Sequence, residues 1–254
     1  AAARPAGAAP DPAAPLRALQ APEEVPGANP EADARLAAAL AEAAPDRPLA
    51  ETPAPAAQGA EAAGAARAPE GRLSAYDLVY PWVRPDCDRL ERLPPELAAR
   101  CTRYDFSQPL ATARIAWFAR ADAPFVGAER PSELRGLTIC RPEGMFDGDL
   151  AAAGLAPPRA GRLSPATARA CLDAVAAGEA DLASLEAREA RRARAAFPPL
   201  PDVTELPALA SRVTLHAAAW RGSTAGRAAL AILDAGLDAL RDRAPALDRQ
   251  GGER

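Results

Sequence analysis

Every basic side chain in this 254-residue chain is an arginine; there are 30 and no lysine. That excludes Schiff-base lysines, phosphate-loop lysines and Ser-Lys dyads. It leaves the guanidinium, whose planar fork suits a bidentate pair with a carboxylate. Arg84 and Arg89 lie in the turn that follows the short apolar run Asp77 to Tyr80. Either can hold a ligand carboxylate, or pair on the surface with Asp86, Asp88 or Glu91 at little gain in stability. Trp82, in the same turn, offers the flat apolar wall that small-molecule pockets use. A second anion site is expected where a helix start reads at Gly144-Met145-Phe146. The first N–H groups of a helix lack internal partners and carry the positive end of its dipole.

Other chemistry-bearing residues have blander readings. His216 sits in an apolar run without sequence partners and reads as a structural histidine. Arg188 to Arg194 mixes with Glu186 and Glu189 at helical spacing, which suits a solvated face. Asp147-Gly148-Asp149 lacks the remaining ligands of a calcium loop, and Asp181 reads as a structural residue at a strand boundary. The four cysteines, Cys87, Cys101, Cys140 and Cys171, lack zinc-site spacing, and one histidine adds no metal cluster. Their even number suits disulfides in an oxidising compartment; as free thiols they would be buried in a cytosolic protein. Joining Cys87 to Cys101 closes a loop of roughly 15 residues, which the chain-entropy model rates at about 3 kcal/mol. No catalytic group, metal or cofactor is expected.

The elements that must position these groups come from a lean, alanine-rich chain: 49% of residues are apolar but only 4% aromatic. The net charge of -4 gives no general attraction to nucleic acid. No window reaches the roughly 18 apolar residues of a membrane span. The opening AAARPAG fits a mature end left after signal-peptide cleavage, or an arbitrary boundary. Residues 1–15 read as a flexible Ala/Pro-rich leader. Leu16 to Gln20 and Arg47 to Thr52 read as short strands, Glu31 to Ala44 as a helix, and Ala57 to Ala68 as a weak one. Asp77 to Tyr80 is a strand stopped by Pro81; Ile115 to Ala119 is a buried strand; Ser132 caps one helical turn before the strand Leu137 to Cys140. Ser164-Pro165 opens a helix that Gly178 closes, Asp181 to Leu185 follows as a strand, Val213 to Trp220 returns, and Thr224 to Arg243 is a terminal helix. Strand and helix alternate as in a parallel α/β unit.

From Leu73 to Leu240 the chain resembles a bacterial extracytoplasmic solute-binding protein, family 3, of the type 2 periplasmic-binding-protein fold. The resemblance rests on Asp77 to Tyr80 with the Pro81 to Arg89 turn, on Phe106-Ser107-Gln108-Pro109, on Leu134 to Ile139 followed by Gly144, and on Leu172 to Glu186 with Gly178 and Asp181. It implies an α/β fold of two lobes joined by hinge strands. Lobe I is expected over 16–118, lobe II over 119–210, and the return with a C-terminal helix over 211–245, before a tail at 246–254. It implies that Arg89 or Arg84 holds a solute carboxylate together with the segment carrying Arg141, Met145 and Phe146, while Glu186 holds its ammonium. It further implies a monomeric periplasmic protein that delivers an amino-acid-like solute to a membrane ABC permease. Two alternatives stay open: a degenerate sensor or interaction module on the same fold, and a relative resembling cyclohexadienyl dehydratases with Glu186 as general acid.

Overall fold

The computed structural model describes residues 14–20, 25, 29–53, 76–195 and 202–251. Most of the expected leader and the expected helix at Ala57 to Ala68 lie outside them. Three strands, β1 (Leu16–Gln20), β2 (Leu49–Pro53) and β3 (Leu78–Val83), pair in parallel with β1 in the middle. Helix α1 (Asn29–Ala43) turns Ala32, Leu36, Ala39 and Leu40 to the core, the spacing of one helical face. A 3-10 turn (Cys87–Arg92), α2 (Pro95–Arg103), β4 (Tyr104–Phe106) and the long β5 (Ala111–Arg120) follow.

The second half of the chain begins with a 3-10 turn (Pro131–Leu134) and β6 (Thr138–Cys140). Then come α3 (Gly148–Ala152), β7 (Gly161–Leu163), α4 (Ala168–Ala177), β8 (Leu182–Glu186) and α5 (Ala187–Ala195). The chain returns through β9 (Val203–Glu205), β10 (Ser211–Trp220) and α6 (Thr224–Gly251). The described strands form one continuous sheet in the order β2-β1-β3-β10-β5-β8-β6-β7, with β4 on β10 and β9 on β5. β6 pairs in parallel with both β7 and β8.

Core membership divides the sheet into two lobes. Ala111, Ala113 and Ile115 of β5 pack with β1, β3, α1, β10 and α6, whereas Ala116 to Ala119 pack with the elements between β6 and α5. β5 therefore crosses from one core to the other. Disulfides join Cys87 to Cys101 in the first lobe and Cys140 to Cys171 in the second. Among the described residues no helix is long and apolar enough to cross a membrane.

Several local expectations are corrected. β3 runs through Pro81 to Val83; proline lacks the N–H, but the ladder with β10 shifts register between the Trp82–His216 and Val79–Ala218 pairs, so no partner needs that donor. The helix placed at Gly144 starts at Gly148. Ser132 gives no side-chain cap to its turn. α4 is capped by Thr167, whose Oγ1 accepts from Ala170 N at 3.2 Å, while Ser164 is drawn off by Arg162. Gly178 closes α4 in the left-handed region at φ 75°, as its sequence position implied. α6 continues past Arg243 to Gly251, through residues that are mostly helix formers, where a tail was expected.

Candidate functional site at the lobe junction

Open α/β sheets bind ligands beyond the carboxyl ends of their parallel strands. Here two sets of such ends meet. In the first lobe β1, β2 and β3 end at Gln20, Pro53 and Val83; in the second β6, β7 and β8 end at Cys140, Leu163 and Glu186. The segments leaving these ends touch across the junction. Arg188, in the first turn of α5, donates to Glu31 in the first turn of α1 at 2.6 Å. Met145, from the loop after β6, is 5% exposed and belongs to the core of the first lobe, with Phe146 packed on the same cluster. A Cβ on Gly148 would stand 2.4 Å from the Phe146 ring and 2.6 Å from the end of Leu97 of α2, so a larger residue would have to displace those side chains.

Arg141, at the end of β6, is wholly buried. Its Nη1 donates to the Phe146 carbonyl at 2.6 Å, its Nη2 to Ser184 Oγ at 2.6 Å, and the fork pairs bidentately with Asp149 at 2.5 and 2.9 Å. Its donors thus fasten the 142–147 loop and α3 to β8 instead of facing open space. Only Nε lacks a partner among the described residues. Met145 N reaches the Pro142 carbonyl at 3.3 Å, so that amide is engaged as well.

Glu186 is 2% exposed. Its Oε2 accepts from Arg188 N at 2.7 Å and Glu189 N at 2.9 Å, the geometry of an N-cap for α5. Trp82 is packed inside the first lobe rather than against open space. The edge of Tyr104 meets it at 5.1 Å and the Arg100 guanidinium lies 4.5 Å over its face. Arg89 is exposed, with Nε 3.8 Å from Asp86, the surface pairing its sequence neighbours allowed. Arg84 is exposed just beyond β3, and among the described residues no hydrogen bond or ion pair holds it. His216 is buried; its Nδ1–H donates to the Ser107 carbonyl at 2.7 Å and its Nε2 lies 2.8 Å from Thr214 Oγ1. Asp181 is likewise structural, accepting from Thr138 N at 2.7 Å.

Sequence reasoning missed Arg100. Among the described residues it is the buried arginine of the first lobe, over Trp82 and 3.4 Å from the Val83 carbonyl at the carboxyl end of β3. The signal was present: Leu97, Arg100 and Cys101 share one face of α2, and an arginine on an apolar face is unusual. Counting from Asp77 leads to Arg89; the buried arginine of this lobe lies further on, in the helix that the Cys87–Cys101 disulfide ties back to the turn.

Between the lobes a recess of about 70 Å³ remains, with Pro94 and Glu96 on one wall and Ile139, Asp147, Gly161 and Arg162 on the other. No protein-family model matches the chain, and no curated protein does. Solved structures do. A histidine kinase sensor domain with similarity to periplasmic binding proteins aligns at TM-score 0.58 and 18% identity, over 94% of this chain and 95% of its own. The amino acid ABC transporter substrate-binding protein AbpA from Streptococcus pneumoniae, bound to L-arginine, aligns at 0.54 and 15%, over 91% and 90%. The arginine-, lysine-, histidine-binding protein ArtJ from Geobacillus stearothermophilus aligns at 0.54 and 14%, over 90% of each chain. The chain thus has the two-lobed type 2 periplasmic-binding-protein fold.

Proposed function

We propose that this chain is a periplasmic solute-binding protein that captures a small polar, amino-acid-like solute between its lobes for a membrane ABC permease. The observation that carries the reading is the meeting of two sets of parallel-strand ends at one junction. Solute-binding proteins of this shape, including those bound to or named for basic amino acids, share the fold over nearly their whole length. The two disulfides fit an oxidising compartment. In this reading Arg100, backed by Trp82, takes the carboxylate in place of Arg89, with Arg84 at the rim. The Phe146 amide and Glu186 come from the second lobe, and Arg141 holds the loop that carries Phe146. The protein works as a monomer and breaks no bond; closure is a hinge motion driven by contacts that both lobes make to the solute.

One observation favours a second reading as a sensor or interaction module. Met145 of the second lobe is buried in the core of the first, a contact that the lobes make with each other. The two readings separate in a thermal-shift screen of amino acids and small acids. A ligand that binds only the folded form must raise the melting temperature. A rise with an amino acid supports capture, and an unmoved transition across the set selects the module.

A further inference from the structure

The recess between the lobes has charges that no internal pairing consumes. Arg162, on β7, is half-buried, and its Nε donates to Ser164 Oγ at 3.0 Å, which fixes the direction of the guanidinium. No carboxylate of the described residues forms an ion pair with it. Asp149 is near enough to act on it electrostatically but is taken by Arg141. Burial first, and then the Arg141 charge, push the Arg162 pKa down, against an opposing pull from Asp147 and Asp149. Asp147 lines the recess with it, and Glu96, in the first turn of α2, lines it from the other lobe. Neither carboxylate has an ion-pair partner among the described residues. Leu150, Ala151, Leu155, Ala156 and Pro157 add an apolar lining.

Size decides what fits. The cavity of about 70 Å³ is far below the roughly 300 Å³ where drug-sized pockets begin. We propose that this recess is a binding site for a zwitterion of glycine's size, its carboxylate on Arg162 and its ammonium between Glu96 and Asp147. The inference rests on the reading of the junction as a solute crevice, but it places the ligand beside α2 and β7 instead of at Glu186. The mixed charge favours a zwitterion over a simple anion, because Glu96 and Asp147 would repel the latter. The small volume, walled by Leu150, Leu155 and Pro157, leaves no room for a large side chain.

Isothermal titration of the whole chain with glycine, L-leucine, acetate and methylammonium tests it, with Arg162→Gln and Glu96→Gln beside the native protein. Glycine should bind, and each substitution should weaken it by about tenfold or more, the loss of a charge-assisted contact. Glu96 is exposed, so its variant keeps the test valid should Arg162→Gln fail to fold. Native glycine affinity in Glu96→Gln, or acetate or methylammonium binding as tightly as glycine, overturns the proposal. L-leucine binding more tightly than glycine and indifferent to both substitutions overturns it too while leaving solute capture standing. Silence with glycine overturns the proposal, and silence across the wider thermal-shift set overturns solute capture as well.

Discussion

Burial rather than chemistry governs the most conspicuous titratable side chain. Desolvation above all, with the Arg84 charge adding to it, holds the His216 imidazole below its usual value of 6.5, against an opposing pull from its hydrogen bond to Ser107. The folded protein therefore binds fewer protons at this site than the unfolded chain. The stability this gives is complete above the unfolded value and is lost as pH falls through the folded one. Melting temperature followed from neutral pH to about pH 5 should fall in the native protein and fall less steeply in His216→Gln. Equal slopes would show that His216 is not the titrating group. The arginines teach a related lesson. Arg84, Arg89 and Arg100 are alike in sequence, yet one has no partner among the described residues, one pairs with Asp86 and one lies buried over an indole. Which is which depends on how the Cys87–Cys101 loop and α2 pack against β3, which residue spacing does not determine.

Elements were legible where one local signal dominates. The α4 face of Ala168, Cys171, Leu172 and Val175 with Gly178 beyond it needed no tertiary information. Boundaries set by competition were not legible: Ser164 has a capping side chain, but Arg162 takes it and Thr167 caps instead. Helix packing supplies a sharp case. A Cβ on Gly236 of α6 would lie 1.9 Å from the Ala39 carbonyl oxygen of α1, and Arg243 and Glu42 tie the same helices by an ion pair. Alanine is the better helix former by about 1 kcal/mol. The obstacle is backbone, however, so overpacking of about 1–3 kcal/mol should win. Gly236→Ala is expected to lower the denaturant midpoint; an unchanged or higher midpoint would mean that the helices separate freely.

At the scale of the whole molecule the junction is held by apolar contact more than by charge. The Arg188–Glu31 pair is exposed on both sides and contributes at most about 1 kcal/mol. Met145 is a buried side chain in the other lobe's core, and its truncation should cost about 2–5 kcal/mol if the lobes stay closed. Met145→Ala should therefore either lose that stability or open, which small-angle scattering would register as a larger radius of gyration. A variant with native stability and native scattering would remove Met145 from the closure. The residues themselves determined what is local or compositional: arginine as the sole cation, an α/β order of elements, cysteines in a number that allows pairing, and a helix ended by Gly178. Only the tertiary structure decided which arginine is buried, that Glu186 caps a helix, that Arg141 is spent inside its own lobe and that Met145 crosses the junction. Those outcomes depend on contacts between residues far apart in the chain, where packing and desolvation select among side chains that local sequence leaves equivalent.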